Sequence, residues 1–363
     1  MKVAVYTIAL NEAKHVKRWY ESSKEADYHL IADTGSTDDT VKIAKELGIN
    51  VIQIKVNPWR FDDARNAALV SLPANIDFCI SMDMDEILKA GWKKELLKAF
   101  RQKGNIRPKH KLVTDFDANG KPTVEFYGNR VHKRHNYRWR HPIHEVLVTY
   151  GDYPEFYFEI GLEIHHLPDN EKSRGQYLPM LEMAYQESPT DARTLYYYGR
   201  ELFFKKKYLE ARAVFEEYLK YTDFPAEKAY ALRYLAKCHP QKAEEYLKES
   251  IQTLYCREAV LALANHYYIT KEWDKCKEAS LEAITIKEKT NDFMSEAWAW
   301  GHMAYDLVAI SAWQLEQWED AYNYGKIAAD MSPEEERLQN NVVFYKEKLN
   351  GLHVQPDGRR GEN

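Results

Sequence analysis

The hydrophobic residues of the first 82 positions fall into short apolar runs separated by amphipathic stretches. The runs have the length of β-strands, and the stretches between them have the period of helices. Residues 2–10 are apolar almost throughout, which is typical of a central strand in a parallel sheet covered on both faces. The pattern predicts a doubly wound α/β layer with a mostly parallel sheet. The predicted strands are residues 2–10, 28–32, 51–56 and 76–82, and the predicted helices are residues 13–24, 38–47 and 62–71.

From residue 171 onwards the strand pattern disappears and amphipathic helices follow one another. Small residues recur at a regular spacing in this half, and each is followed 12 positions later by a second small residue, where two paired helices would cross. This period resembles that of degenerate tetratricopeptide repeats. The first small residues are Gly199, Ala231, Ala264 and Ala309, which are 32, 33 and 45 residues apart, and the second ones are Ala211, Ala243, Cys276 and Ala321.

These patterns divide the chain into an α/β domain at residues 1–168, an all-α repeat domain at 169–350 and a tail at 351–363. The tail is rich in Gly, Pro and charge, so we expect it to be disordered. A stack of repeats has a concave face suited to a peptide or protein, or it can buttress the first domain. Core packing is the commoner fate of aromatic side chains, but some of them could line an acceptor groove: Tyr196, Tyr197, Tyr267, Tyr268, Trp298 and Trp300.

The composition of the 363 residues is that of a globular protein, and its net charge of −5 gives no general signature of polyanion binding. No apolar run approaches membrane-spanning length, and the first residues do not read as a signal sequence. The 4 cysteines are scattered without metal-binding or disulfide spacing. We therefore expect a reduced, cytoplasmic protein without a structural zinc site.

Polar residues follow the predicted strands at their carboxyl ends, where open α/β sheets bind ligands. Glu12, Asp33, Arg65 and the pair Asp83 and Asp85 occupy such positions. Carboxylates crowded at the end of a buried strand need a counter-charge, and the usual one is a hard divalent cation with oxygen ligands. In the plainer interpretation, Asp83 and Asp85 are loop residues and Glu86 opens a helix, where an acidic side chain is favoured in the first turn. Asp33 would then form a simple turn at a helix entry, and Arg65 would make a surface salt bridge.

Two common nucleotide-binding loops are absent from the sequence. No G-x-G-x-x-G motif follows the first strand, and there is no Walker A loop. A glycine-rich cradle for phosphates is thereby excluded. The remaining option is a site that recognises a nucleotide with side chains and holds its diphosphate through a metal.

Four motifs in the first half, TIALNEAKHV, IADTGSTDDT, FDDARNAAL and SMDMDEIL, resemble those of family 2 glycosyltransferases of the GT-A fold, in that family's order. The resemblance covers residues 1–168. It implies a nucleotide-diphosphate sugar as donor, with UDP preferred, and Mn²⁺ or Mg²⁺ as cofactor. It also implies a role for individual residues: Thr7, Ala9 and Glu12 border the nucleotide, Asp33 accepts a hydrogen bond from the base, Arg65 lies near the base or diphosphate, Asp83 faces the ribose or the metal, and Asp85 ligates the metal.

The segment from residue 98 to 141 is basic and has little periodicity. Residues 117–120 predict a hairpin turn between strands at 111–115 and 123–126. Residues 130–140 mix cations with aromatic side chains, which fits either a patch for nucleic acid or a lid whose cations neutralise a donor diphosphate. The lid is the favoured interpretation, because the basic run is short and the whole chain is acidic.

Residues 141–147 and 163–166 look like the HE motif and the later histidine of the same family. An inverting transferase needs a carboxylate that deprotonates the acceptor. Glu145 is the candidate base, with His144 steering the acceptor or a phosphate, and with Asp115 and Asp117 in reserve. His166 is a candidate ligand of the metal or diphosphate. Many relatives continue with Gly-Tyr after this histidine, whereas this chain has Leu-Pro, so a role for His166 as core packing stays open.

The sequence thus favours a metal-dependent, inverting glycosyltransferase that uses a UDP-sugar. Its expected acceptor is a protein, a peptide or a glycan, which the repeats could contact. Nucleic acid is the alternative acceptor, and the oligomeric state is open. A sugar nucleotidyltransferase would need the missing glycine-rich loop. A repeat scaffold with an inactive transferase domain is a third hypothesis, and the intact Asp83, Asp85 and Glu145 argue against it.

Overall fold

The computed structural model describes residues 1–102, 106–116, 120–151, 154–167, 177–290 and 295–353. For residues 351–353 it describes the backbone but not the side chains. The chain forms two compact units, Met1–Leu202 and a helical unit that begins at Phe203. The first unit therefore takes in two helices beyond residue 168, the predicted boundary between the domains. That boundary stays a prediction.

Strands and helices alternate in the first 81 residues as the hydrophobic pattern predicts. The five-stranded sheet has the order β3-β2-β1-β4-β8, in which β1, β2, β3 and β4 run parallel and β8 is antiparallel at one edge. The predicted doubly wound layer is confirmed. Its elements are β1 (Val3–Ala9), α1 (Ala13–Ser23), β2 (Tyr28–Asp33), α2 (Thr40–Glu46), β3 (Asn50–Gln53), α3 (Phe61–Val70), β4 (Phe78–Ser81) and β8 (Val131–Lys133).

The apolar runs become central strands because both of their faces are covered. Val3, Val5 and Ile80 face one core cluster, which also contains Trp19 of α1, while Ala4 and Cys79 face a second cluster on the other side of the sheet. All of these side chains are fully buried. Burial on both faces removes the alternation of polar and apolar positions, as in other parallel sheets. The carboxyl ends of β1, β2 and β4 then meet at the same edge.

The segment after Asp85 is a strand, and the predicted helix at this position was wrong. β5 (Glu86–Leu88) pairs antiparallel with β11 (Phe156–His166), which places Leu88 opposite Ile164 and Glu86 opposite His166. Pairing with a strand far along the chain overrides the local helical tendency. Helix α4 (Trp92–Phe100) begins only after Gly91, whose φ of 90° favours glycine.

A second sheet of four strands has the order β5-β11-β6-β7. β6 (Ile106–Phe116) and β7 (Pro122–Gly128) form the predicted antiparallel hairpin. The tip of that hairpin, residues 117–119, lies outside the described residues, and so does the reserve base Asp117. A two-stranded sheet consists of β9 (Tyr137–Arg140) and β10 (Val146–Thr149).

His110 of β6 is fully buried, and neither of its ring nitrogens has a hydrogen-bond partner. Burial lowers its pKa to about 3, with a smaller effect from the charge of Arg130. An unfolded histidine has a pKa of about 6.5. The unfolded chain therefore binds the additional proton between these two values, and stability is lost as the pH falls through this range.

Replacing His110 with leucine should remove this sensitivity to acid. By the linkage relation, the free energy of unfolding of the variant relative to that of the wild type should increase by about 2 kcal/mol from pH 7 to pH 5. Urea unfolding of both proteins at the two pH values measures it. His135→Gln, a change at an exposed histidine, is the matched control and should follow the wild type. An advantage that is the same at both pH values would show that His110 also titrates normally in the folded chain.

The remaining structure is helical and has the predicted repeat organisation. Helices α8 and α9, α10 and α11, and α12 and α13 pack as consecutive pairs. The small residues predicted at helix crossings are buried in both series. The predicted fold class, an α/β domain followed by tetratricopeptide-like helices, is confirmed. The helices are α5 (Tyr177–Glu187), α6 (Ala192–Phe204), α7 (Tyr208–Tyr218), α8 (Pro225–Cys238), α9 (Ala243–Thr253), α10 (Arg257–Thr270), α11 (Trp273–Thr285), α12 (Met303–Gln314), α13 (Trp318–Met331) and α14 (Glu336–His353), with 3₁₀ turns at Pro240–Lys242 and Ala297–Trp300.

Helix α14 continues into the segment predicted as a tail, and residues 354–363 lie outside the described part of the chain. Within the described ranges, none of the helices combines the length and apolar character needed to cross a membrane. The cytoplasmic location stays a prediction.

Candidate functional site

One cavity of about 760 Å³ lies within the first unit, at the edge where β1 and β4 end. Its wall combines side chains from the end of β1, from α3, from the segment after β4, from the loop before β10 and from the end of β11. Most of the residues singled out in the sequence are part of this wall. They are Glu12, Arg65, Asp83, Asp85, His144, Glu145 and His166.

Arg65 is at the centre of the charged part of the cavity. Its guanidinium donates to Oδ1 of Asp83 at 2.6 Å, to Oγ of Ser81 at 3.1 Å, and through Nε to Oε1 of Glu145. It also lies 5.1 Å from the centre of the Trp139 ring. Burial alone would lower the pKa of Arg65, but the charges of Asp83 and Glu145 raise it. Arg65 is thus a fixed cation that orients two carboxylates.

Arg130 is a second cation on the same wall. Its Nη1 donates to Oδ2 of Asp83 at 3.0 Å and to both oxygens of Glu86 at 2.8 Å. Burial raises the pKa of Glu86 to about 7, against the opposing charge of Arg130. Burial would also raise the pKa of Asp83, but Arg65 and Arg130 together hold it well below its usual range. Asp83 is therefore a carboxylate shared by two arginines.

Asp85 and His166 come together through strand pairing, because β11 lies beside β5 and brings His166 next to the Asp85–Glu86 peptide. Nε2 of His166 is 3.5 Å from Oδ2 of Asp85, and hydrogen bonding to that carboxylate raises the pKa of His166. One carboxylate and one imidazole suit Mn²⁺, and a cation that is shared with a phosphate needs few protein ligands. The pair therefore fits a metal that completes its coordination with substrate oxygens and water.

Asp83 is held by two arginines in this structure, and its predicted role as a metal ligand stays a prediction. Both of its oxygens accept hydrogen bonds from arginine side chains, Oδ1 from Arg65 and Oδ2 from Arg130. Among the residues that the structure describes, no three His, Cys, Asp or Glu side chains form a group that could hold a metal alone. Asp85 and His166 are thus the described pair that would fit a metal together with substrate oxygens and water.

Glu145 and His144 lie in a short loop, residues 141–145, between β9 and β10. Glu145 reaches α3 through its contact with Arg65, and only 12% of its side chain is exposed. The ring of His144 stacks on Tyr197 of α6 at a centroid distance of 3.8 Å. The loop thus presents a carboxylate and an imidazole side by side at the cavity.

Thr7, Ala9 and Asp33 are buried and do not form part of the cavity wall. Oδ2 of Asp33 accepts the N–H groups of Gly35 and Ser36, the turn-forming role that the plainer interpretation allowed. Oδ1 of Asp33 is buried without a hydrogen-bond partner. A nucleotide base would have to reach this atom from outside the cavity, so the base pocket stays a prediction.

The reserve base Asp115 is exposed and does not line the cavity, and its Oδ1 accepts the N–H of Phe116.

Three residues of α5 and α6 belong to the cavity wall, although the sequence placed these helices in the repeat domain. Tyr197 was named only as one of several aromatic residues, and no local motif marked the other two. These wall residues are Tyr177, Arg193 and Tyr197.

Solved structures similar to the chain include tetratricopeptide repeat proteins. PilF of Pseudomonas aeruginosa is 18% identical, with 47% of this chain and 72% of that chain covered and a TM-score of 0.36. A thermophilic repeat protein of Thermus thermophilus is 16% identical, with 48% and 89% covered and a TM-score of 0.34. Values this low add nothing to the helix pairing described above.

The sequence comparisons concern the first unit. An uncharacterized glycosyltransferase of Rickettsia prowazekii is 31% identical over 127 residues, 34% of this chain and 42% of that protein. Another from Rickettsia felis is 38% identical over 88 residues, 24% and 30% of the two chains. The chain spans less than half the length of these curated relatives. The model of Glycosyl transferase family 2 matches residues 4–158, a range that contains most of the cavity residues. Residues 4–158 are therefore the part of this chain that is similar to glycosyl transferase family 2.

Proposed function

We propose that the chain transfers a sugar, with inversion, from a nucleotide-diphosphate sugar to an acceptor nucleophile. The observation that carries this proposal is the shared cavity in which Asp85, Arg65 and Glu145 meet, inside the region that matches the family. Such a site contains a carboxylate for a metal, cations for a diphosphate and a carboxylate that can accept a proton. UDP is the preferred nucleotide, as the sequence resemblance implies.

The departing group of this reaction is a nucleoside diphosphate, so negative charge builds up on its leaving oxygen. Arg65 is a buried cation of the cavity and Arg130 is a half-buried one, and oriented cations stabilise developing charge most strongly where water is excluded. Asp85 and His166 would hold a divalent cation, which when bound would neutralise diphosphate charge. The arginines are already engaged with carboxylates, so they are fixed before the donor arrives.

Glu145 is the proposed base. The acceptor oxygen or sulfur forms a bond to the anomeric carbon while the bond from that carbon to the diphosphate breaks, and the acceptor proton passes to Glu145. Oε1 of Glu145 is held by Arg65, so we assign Oε2 as the proton acceptor. His144 next to it is suited to steer the acceptor.

Glu145→Gln separates binding from transfer. The amide oxygen of the variant can still accept from Arg65, so the affinity for UDP should stay within about twofold of the wild type, whereas the rate should fall by about 10²- to 10⁴-fold because the general base is lost. UDP release from a panel of UDP-sugars, with and without acceptor, measures the rate, and calorimetry measures the affinity. Glu163→Gln, on β11 but outside the cavity wall, is the control. Turnover of Glu145→Gln at the wild-type rate would place the base elsewhere.

For the acceptor, we propose a protein, peptide or glycan, with the tetratricopeptide-like helices as an additional contact surface. The support is the presence of these repeats in the same chain, since such stacks commonly bind peptides or proteins. Glycan arrays and peptide libraries assayed with a labelled UDP-sugar distinguish these acceptor classes. Absence of nucleotide binding by the wild-type chain would instead favour a scaffold with an inactive domain.

A further inference from the structure

The loop that carries His144 and Glu145 is attached to α3 on one side. The carbonyl oxygen of Pro142 accepts the N–H of Phe61 at 2.9 Å, and Glu145 accepts from Arg65. These contacts connect the loop to the α/β layer, inside the part of the chain that matches the family.

The same loop is attached to α6 on its other side. Nε of Arg193 donates to the carbonyl oxygen of His144 at 2.9 Å, and the Arg193 guanidinium lies 4.9 Å from the centre of the Tyr197 ring. Tyr197 in turn stacks on the imidazole of His144, with 3.8 Å between centroids and 18° between planes. One turn of α6 therefore supplies both contacts, the hydrogen bond from Arg193 and the ring stacking of Tyr197. This helix lies after the matched region.

Two polar contacts, one of them an ion pair, accompany this attachment. His141, at the start of the loop, is 3.8 Å from Asp191, just before α6. Arg60, next to α3, contacts Glu187 at the end of α5 at 2.5 Å. The helix pair is thus also attached to the start of the loop and to the residue before α3, and not only to His144.

The loop needs this support because its backbone is unfavourable. His141 and His144 have φ values of 81° and 53°, in the left-handed region that residues with a Cβ rarely adopt. Such conformations persist where surrounding contacts impose them. His144 directly precedes Glu145, so a change in its backbone redirects the carboxylate.

We propose that Arg193 and Tyr197 are positioning residues for Glu145, and that α5 and α6 are part of the catalytic unit. This inference rests on the proposed function, in which Glu145 is the base. Arg193 fixes the peptide between His144 and Glu145, and Tyr197 fixes the imidazole beside it. A misplacement of about 1 Å in a catalytic group can cost about 10²-fold in rate.

Hydrogen exchange and kinetics of the full chain test this proposal together. In Arg193→Gln, the amides of residues 143–146 should exchange at least about tenfold faster, while those of β1 stay unchanged. The kcat for hydrolysis of UDP-glucose should fall by about 10- to 100-fold, with KM changed by less than about threefold, since the donor contacts remain. Tyr197→Leu should behave in the same way, and Tyr197→Phe, which keeps the ring, should recover the lost protection.

Two variants of α6 are matched controls. Arg200→Gln removes an arginine of the same helix that is not part of the cavity wall, and Tyr198→Leu removes a ring that stacks on Tyr185 of α5 instead of His144. Both should leave the exchange of residues 143–146 as in the wild type. Loop exchange that does not respond to Arg193→Gln or to Tyr197→Leu would overturn the proposal.

The outcomes also separate this inference from the proposed function. If the wild type binds UDP but hydrolyses no UDP-sugar and transfers to no acceptor, the proposed function fails and Glu145 loses its role. If the wild type is active and the Arg193 and Tyr197 variants keep its kcat, the positioning role fails alone. Should Arg193→Gln not fold, Arg193→Lys and Tyr197→Leu provide the same comparison.

Discussion

Asp85→Ala is expected to lose metal-dependent nucleotide binding. Asp85 and His166, 3.5 Å apart, are the proposed protein ligands of a divalent cation, and a metal that lost this carboxylate would keep only the imidazole of the pair. Loss of an outer-shell partner of a metal site typically costs about 10- to 100-fold in affinity, and loss of a ligand should cost at least about 100-fold. Calorimetric titration of UDP with Mn²⁺, and then with EDTA, measures this effect.

The variant should bind UDP with Mn²⁺ no better than the wild type binds UDP in EDTA. Asp85→Asn keeps one oxygen ligand without the charge, so its affinity should lie between the two. Asp39→Ala removes an exposed carboxylate whose nearest cation, Lys42, is 4.0 Å away, and it should bind as the wild type does. Equal enthalpies for wild type and Asp85→Ala in Mn²⁺ would remove Asp85 from the donor site. If the wild type binds UDP equally well with Mn²⁺ and with EDTA, the proposed metal cofactor would be contradicted instead.

The sequence identified the components of the cavity because these lie in local motifs. Glu12 and Asp85 each follow a hydrophobic strand, and Arg65 lies in a helix, and these elements could be recognised from their own periods. The rule that ligands bind at the carboxyl ends of parallel strands then brought them together without further information. Burial on both faces of β1 and β4 made these strands easy to recognise.

Contacts between distant segments could not be predicted in this way. Arg130 was one cation in a basic run, and nothing local indicated that it would share Asp83 with Arg65. The strand β5 depends on pairing with β11, about 76 residues later, so its local sequence suggested a helix. Arg193 comes from a helix that by its own period belongs with the repeats, and only the packed structure shows it at the His144 loop.

Asp33 has a local sequence that is compatible with two roles. The family resemblance implied a contact with the base, and the local sequence equally predicted a turn. The structure shows the turn, with Oδ2 of Asp33 holding the N–H groups of Gly35 and Ser36. One carboxylate can serve both purposes, because each of its oxygens can accept separately. Nothing in the local sequence indicates which oxygen forms the turn and which could contact a base.

Arg65→Met is expected to destabilise the first unit by about 3–5 kcal/mol. Removing one partner of a buried ion pair leaves the other charge uncompensated, and Arg65, with 6% of its side chain exposed, neutralises both Asp83 and Glu145. Arg130 still contacts Asp83, so Glu145 bears most of the loss. Urea unfolding of the full chain measures the change, with tryptophan fluorescence as the signal, because Trp19 and Trp92 of the first unit are buried.

The dependence on pH and on a second substitution tests this explanation. In the wild type the folded pKa of Asp83 is lowered, so its ion pairs stabilise the chain above the unfolded pKa of about 3.9 and are lost as the pH falls through the folded value. The difference between wild type and Arg65→Met should therefore narrow in acid. Adding Glu145→Gln to Arg65→Met should recover part of the loss, because a neutral amide replaces the unpaired carboxylate. Arg18→Met, at an exposed arginine, should change stability by less than about 0.5 kcal/mol. A loss for Arg65→Met that is independent of pH and unaffected by Glu145→Gln would come from packing against Trp139 and not from the two ion pairs.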